Sequence, residues 1–165
     1  MTNHPFEEHI PRLRRYARAL LHDRTQADDL VQDTLERALN KFTLFRRGTD
    51  LRAWLFTVMH NVHINQLRAA ASRHTVTLDA SDAEAIQAPP DETSTLRDLH
   101  SALEHLPPDQ RDVILLVGLE QFTYEETARV LGVPVGTVMS RLSRARERLR
   151  TLMTGDTTPY LRRIK

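Results

Sequence analysis

The stretch TYEETARVLGVPVGTVMSRLSRARERLR, Thr123 to Arg150, decides how the chain is read. Thr123 followed by Glu126 is a capping box, so a short helix starts there and runs to Leu131. Gly132 sits where the chain must turn, and Pro134 opens a second helix with its φ already set. Helix, short turn with Gly, and helix make a helix-turn-helix, whose second helix enters the major groove of DNA. In that second helix Val135, Val138, Leu142, Ala145, Leu149 and Leu152 recur at helical spacing and face a core. The opposite face carries Thr137, Ser140, Arg141, Ser143, Arg144 and Arg148, hydroxyls and guanidinium groups suited to phosphates and base edges. Arginines alone would equally suit a solvated helix end. Their conjunction with capping box, Gly turn and Pro start makes the pattern specific.

Upstream, Leu96, Leu99, Leu103 and Leu106 mark a helix that Pro107 and Pro108 end, and Val113 to Leu119 reads as a further buried helix. Between about Ala71 and Thr93 the periodicity fails, Pro89 and Pro90 stand together, and small polar residues dominate, as in a solvated linker. Before it lie three amphipathic segments. Ile10, Leu13, Ala17, Leu20 and Leu21 form the stripe of a helix from about Phe6 to His22. Thr25 and Asp28 resemble a capping box for a second, striped by Val31, Leu35, Ala38 and Phe42 and expected to end near Arg47, before Gly48. Asp50 caps a third, striped by Leu51, Trp54, Leu55, Val58, Met59 and Val62. Trp54 shares that stripe, which assigns it to the core rather than to base stacking.

The expected fold is therefore all-α: two small helical domains, 1–70 and 94–154, joined by a flexible acidic linker, 71–93, and followed by a tail, 155–165. The C-terminal domain contains the helix-turn-helix.

Charge is nearly balanced overall, with 23 Lys+Arg against 22 Asp+Glu, but its distribution is uneven. Five arginines and one acid lie between Pro134 and Arg150, whereas five acids and only Arg73 lie between Ala71 and Thr95. No cysteine means no disulfide, thiolate zinc site or cysteine nucleophile. No apolar run is long enough to span a bilayer, and the start MTNHPFEEHIPRLRR lacks the apolar core of an export signal, so a cytoplasmic location is expected. GxGxxG, GxxxxGK[ST] and GxSxG are all absent, which leaves an enzyme reading without support. His60 and His63 have a spacing that suits a metal, yet no third ligand accompanies them, so no metal and no cofactor are expected.

The segment LPPDQRDVILLVGLEQFTYEETARVLGVPVGTVMSRLSRARERL, Leu106 to Leu149, closely resembles the C-terminal promoter-binding domain of bacterial extracytoplasmic-function sigma factors, in the sigma-70 family. ADDLVQDTLERAL, Ala27 to Leu39, resembles the family's segment that docks on the RNA polymerase clamp. LRAWLFTVMHNVHINQLR, Leu51 to Arg68, resembles its promoter-melting helix. The resemblance covers roughly residues 6 to 70 and 94 to 153, in order.

It implies a factor that binds RNA polymerase core enzyme and directs promoter-specific initiation, catalysing nothing and taking no small-molecule substrate. By the resemblance Asp28, Asp29, Gln32, Asp33, Glu36 and Arg37 face the polymerase. Asn61 falls where the family reads a flipped −10 base, and an amide offers both donor and acceptor. Arg46, Arg47, Arg52, His60 and Arg68 supply charge or hydrogen bonds to that unpaired strand. Met139, Ser140, Ser143 and Arg144 approach −35 bases, while Thr137, Arg141 and Arg146 clamp phosphates. Arg144, with its planar fork, is the first candidate for a guanine. Family members often carry a larger residue at Ser143, which leaves the −35 preference open. The resemblance also implies an anti-sigma factor as partner, and a linker whose acidity either mimics a nucleic-acid strand or merely spaces the domains. The alternatives are a stand-alone helix-turn-helix regulator and a sigma-like decoy for an anti-sigma factor.

Overall fold

A computed structural model of the chain describes residues 4–45, 48–74 and 93–154, and among them the regular elements are all helical. Helices α1 (Ile10–Leu20), α2 (Arg24–Lys41) and α3 (Leu51–His74) build the first domain. Helices α4 (Thr93–Glu104), α5 (Pro108–Ile114), α6 (Tyr124–Leu131) and α7 (Val135–Thr154) build the second. Arg46, Arg47, most of the expected linker and the tail fall outside the described residues. Among the described residues no helix is long and apolar enough to cross a membrane.

Local chemistry accounts for most helix ends, with some departures from expectation. A 3₁₀ turn, Glu7–His9, leads into α1, which stops at Leu20 because Leu21 is already extended. The cap of α2 is Asp23, not Thr25: its Oδ1 accepts from the amides of Thr25 and Gln26 at 2.8 and 3.3 Å. The expected end near Arg47 is also corrected, since α2 stops at Lys41 and gives way to a 3₁₀ turn, Phe42–Leu44. There Phe42 stacks on Phe45 and meets Phe6 edge-on, so aromatic packing ends the helix before Gly48 is reached. Asp50 caps α3 as expected, its Oδ1 accepting from the Arg52 amide at 3.0 Å.

In the second domain Arg111 collects the carbonyls that α4 leaves unpaired. Its guanidinium donates to the carbonyls of Leu103, Glu104 and Leu106 at 2.8 to 3.1 Å. The apolar run expected as one helix changes pitch: α5 ends at Ile114 and Leu115–Leu119 form a π-helical turn. The Thr123 cap of α6 is present, with Oγ1 accepting from the Glu126 amide at 3.1 Å. Gly132, at φ 67°, closes α6 in the left-handed region and turns the chain toward Pro134 and α7.

The cores follow the stripes. Leu13, Ala17 and Leu20 from α1, Leu30, Val31 and Ala38 from α2, and Leu55, Met59 and Val62 from α3 are buried together. Trp54 packs against this core, as expected. Val113, Ala128, Val138 and Leu142 form a second cluster under the helix-turn-helix. Leu103, Leu106, Leu115, Leu116, Phe122 and Val130 do not stay with it: they join the core of the first domain, so the two domains are packed against each other. Leu96 and Leu152 depart from their expected stripes and stay exposed, each lying near an end of its helix.

Candidate nucleic-acid interface

Burying Val138, Leu142 and Ala145 fixes the rotation of α7 and turns its other side outward. Met139, Ser140, Ser143, Arg144 and Arg146 are all exposed, and Thr137 is half-buried beside them. Ser140 Oγ donates back to the Thr137 carbonyl at 3.2 Å, a bond that an exposed hydroxyl can exchange for a base or phosphate. Arg141 leans toward α5, where its Nε lies 3.6 Å from Asp109 Oδ2 in a partly solvated pair. Met139, Ser143 and Arg146 also line a shallow hollow of about 260 Å³ that Tyr124, Leu142, Glu147 and Arg150 complete. The unit thus brings the expected −35 residues onto one face.

The expected −10 residues divide. Asn61 and Arg68 are exposed on α3. Arg52 and His60 lie on another side of that helix, which faces the second domain. Arg46 and Arg47 are outside the described residues. The six candidates for polymerase contact, Asp28, Asp29, Gln32, Asp33, Glu36 and Arg37, are all exposed on α2, with Gln66 Nε2 donating to Asp33 Oδ2 at 3.0 Å.

Where the domains meet lies a cluster that the sequence reading missed. Glu120 has a fully buried side chain, and Arg15 reaches it from α1 with Nη2 3.1 Å from Oε1 and 3.2 Å from Oε2. Arg52 Nη1 donates to the Glu120 carbonyl at 3.3 Å, and its Nη2 lies 3.7 Å from Glu126 Oε2. The Arg52 guanidinium also sits 4.2 Å from the centre of the Phe122 ring, whose other neighbour is Phe56, edge-on at 5.1 Å. A glutamate followed two positions on by an aromatic is no recognised pattern, and nothing in the sequence pairs Glu120 with Arg15 or Phe122 with Arg52.

Beside this cluster His60 Nδ1 approaches Asp112 Oδ2 at 3.9 Å. Burial raises the Asp112 carboxyl to about 7, against the pull of Arg111 and with Asp109 adding to the rise. Burial lowers His60, and lowers His63 to about 4, so both imidazoles are neutral near pH 7. At the far edge His22 Nδ1 lies 2.9 Å from Glu104 Oε1 and 3.3 Å from His100 Nδ1. Among the described residues no group of three His, Cys, Asp or Glu is arranged to hold a metal.

Comparison with known proteins bears on both halves. Residues 6–60 match the family described as the Sigma2 domain of PhyR, and residues 96–149 match the family described as Sigma-70, region 4. The ECF RNA polymerase sigma factor EcfG of Rhodopseudomonas palustris is 40% identical over 149 residues, 89% of this chain and 82% of that protein. The sigma factor RpoE of Bartonella quintana, solved in complex with the anti-sigma factor NepR, is 36% identical with a TM-score of 0.78 over 92% of this chain and 95% of that one. CnrH, solved with the cytosolic domain of CnrY, is 28% identical with a TM-score of 0.68 over 92% of this chain and 86% of that one. An outward-facing helix-turn-helix, a three-helix domain before it and this likeness across both place the chain among the ECF RNA polymerase sigma factors, which bind core enzyme and direct promoter-specific initiation.

Proposed function

We propose that the chain divides promoter reading between its two domains. The α7 face reads the −35 element as duplex, with Met139, Ser140, Ser143 and Arg144 toward bases and Thr137, Arg141 and Arg146 on phosphates. Asn61 takes a base of the unpaired −10 strand, supported by Arg46, Arg47, Arg52, His60 and Arg68 along its backbone. The exposed α2 residues Asp28, Asp29, Gln32, Asp33, Glu36 and Arg37 hold the polymerase. The chain works in the cytoplasm, catalyses nothing itself and takes no cofactor. The acidic linker carries one domain to the other across the enzyme.

The observation that carries this reading is the α7 face, where Ser140, Ser143 and Arg144 are exposed together over a buried stripe. The same observation counts against a decoy, which would have no need of that face. A few arginines give weak, salt-sensitive binding alone, so a stand-alone regulator is disfavoured as well. RpoE and CnrH were each solved with an anti-sigma factor or its named partner, which supports an anti-sigma factor as partner here too. Mobility-shift assays on promoter DNA with the chain, core enzyme, or both test the division. A specific complex is expected only with both present; tight binding by the chain alone would return it to the stand-alone regulators.

A further inference from the structure

We propose that a hollow lined by Arg14, Arg15 and Arg18, beside the seam between the domains, binds a soluble di- or triphosphate, either free or carried by a nucleoside. None of the residues assigned above to the −10 element, the −35 element or polymerase lines it, so the inference goes beyond that reading.

Helix α1 carries two stripes. The apolar one lies in the core, and the other consists of Pro11, Arg14, Arg15, Arg18 and Ala19, at positions i, i+3, i+4, i+7 and i+8 of one face. With Arg12 the helix holds four arginines and no acid. Arg14 and Arg18 stand one turn apart, where like charges repel. Both are exposed, and their guanidinium groups enter no ion pair or hydrogen bond among the described residues. That face has cations to spare.

The second domain closes it into a hollow. Leu119, the last residue of the π turn, and His100 on α4 complete a lining that encloses about 500 Å³, within the size range of small-molecule sites. No aspartate or glutamate is among the lining residues. Two of its walls are already set. The buried Glu120 carboxylate takes Arg15 Nε and Nη2 at 3.1 to 3.3 Å, which orients that fork and leaves Nη1 outside the pairing. His100 Nδ1 lies 3.3 Å from His22 Nδ1. Glu120 offsets the charge of Arg15, so the excess comes from Arg14 and Arg18. Each guanidinium presents two parallel donors to phosphate oxygens, and three of them around one hollow suit linked phosphates better than a single one. Pro11, Ala19 and Leu119 add apolar surface on which a nucleoside could rest.

Titration calorimetry on the full chain, at low ionic strength and without divalent cations, tests the site. The probes are orthophosphate, pyrophosphate, tripolyphosphate, ATP and GTP. Saturable binding is expected for tripolyphosphate, at least tenfold tighter than for orthophosphate. Arg14→Gln combined with Arg18→Gln should weaken it at least tenfold. Arg12→Gln combined with Arg129→Gln removes the same charge from exposed positions outside the hollow, and should change it less than twofold. Tripolyphosphate should also raise the melting temperature of the wild-type chain and leave that of the Arg14, Arg18 double variant unmoved, with circular dichroism showing both folded. Tighter binding of ATP or GTP than of tripolyphosphate would assign the ligand to nucleotides, and the reverse order to a free phosphate chain. Absence of saturable binding by every probe would overturn the proposal. So would equal losses in the two double variants, which would reduce the effect to diffuse attraction by net charge. No polymerase or promoter enters the test, so its failure leaves the assignment of function untouched.

Discussion

Arg15 and Glu120 stand 105 positions apart in the chain, yet the guanidinium bonds the buried carboxylate at 3.1 to 3.3 Å. The pair is unequal: the Arg15 side chain is 53% exposed and that of Glu120 is 0% exposed. Losing Arg15 strands a charge out of water, whereas neutralising Glu120 frees Arg15 to turn to solvent. Arg15→Ala is expected to cost about 2–3 kcal/mol and Glu120→Gln about 1 kcal/mol or less, measured by urea denaturation. Equal losses would show that the carboxylate is not the stranded partner.

The start of α2 offers a sharper local test. Asp23 receives two amide bonds, while Thr25 lies already inside the helix. Asp23→Ala should cost about 1 kcal/mol, and Thr25→Ala should stay within about 0.5 kcal/mol. The reverse ranking in thermal melts would return the cap to Thr25.

Asp112 and His63 give opposite pH slopes. Asp112, raised to about 7, binds its proton more tightly in the folded chain than in the unfolded one, so its contribution falls as pH rises from about 4 to 7. His63, lowered to about 4, and His60, also lowered, bind protons less tightly when folded, so theirs grows as pH rises toward 6.5. His60 on α3, Arg111 and Asp109 on α5 and Arg141 on α7 all act on Asp112 or lie against it. Asp112→Asn removes the falling slope alone. Between pH 4.5 and 6.5 its stability should climb relative to wild type by about 1.4 kcal/mol per unit. Parallel curves from urea titrations across that range would exclude a protonated Asp112 in the fold.

Arg144 is exposed beside Ser140 and Ser143, free to lay its fork on a guanine. Arg144→Ala should weaken promoter use by about 1–3 kcal/mol and relax one −35 position, read from initiation by core enzyme on a promoter library. A loss spread evenly over all sequences would make it a phosphate contact. On the same library Asn61→Ala should relax a −10 position and leave −35 preference alone.

The helical stripes and several punctuating residues were legible in the sequence because each acts over a few neighbours. Asp50, Thr123 and Gly132 do at their positions what their side chains, or lack of one, dictate. Asp23 was hidden by the Thr25 and Asp28 pair, which imitates a cap two residues later. The π turn was hidden because Val113 to Leu119 is apolar throughout, so no polar residue marks the phase of the helix. Gln121 turns left-handed with no glycine to announce it. On the site, residue types on α7 could be read outright, since one buried stripe determines the exposed face. The seam could not: Arg15, Arg52 and Glu120 look like surface charges until the two domains are brought together.

Titrating the purified, inhibitor-free chain into core polymerase, and following run-off transcription from a cognate promoter, bears most directly on what the molecule does. Saturable association with core enzyme and initiation that depends on the chain are expected, both lost when Asp29 and Asp33 are reversed to lysine. No association, or transcription indifferent to the chain, would contradict its role as a sigma factor.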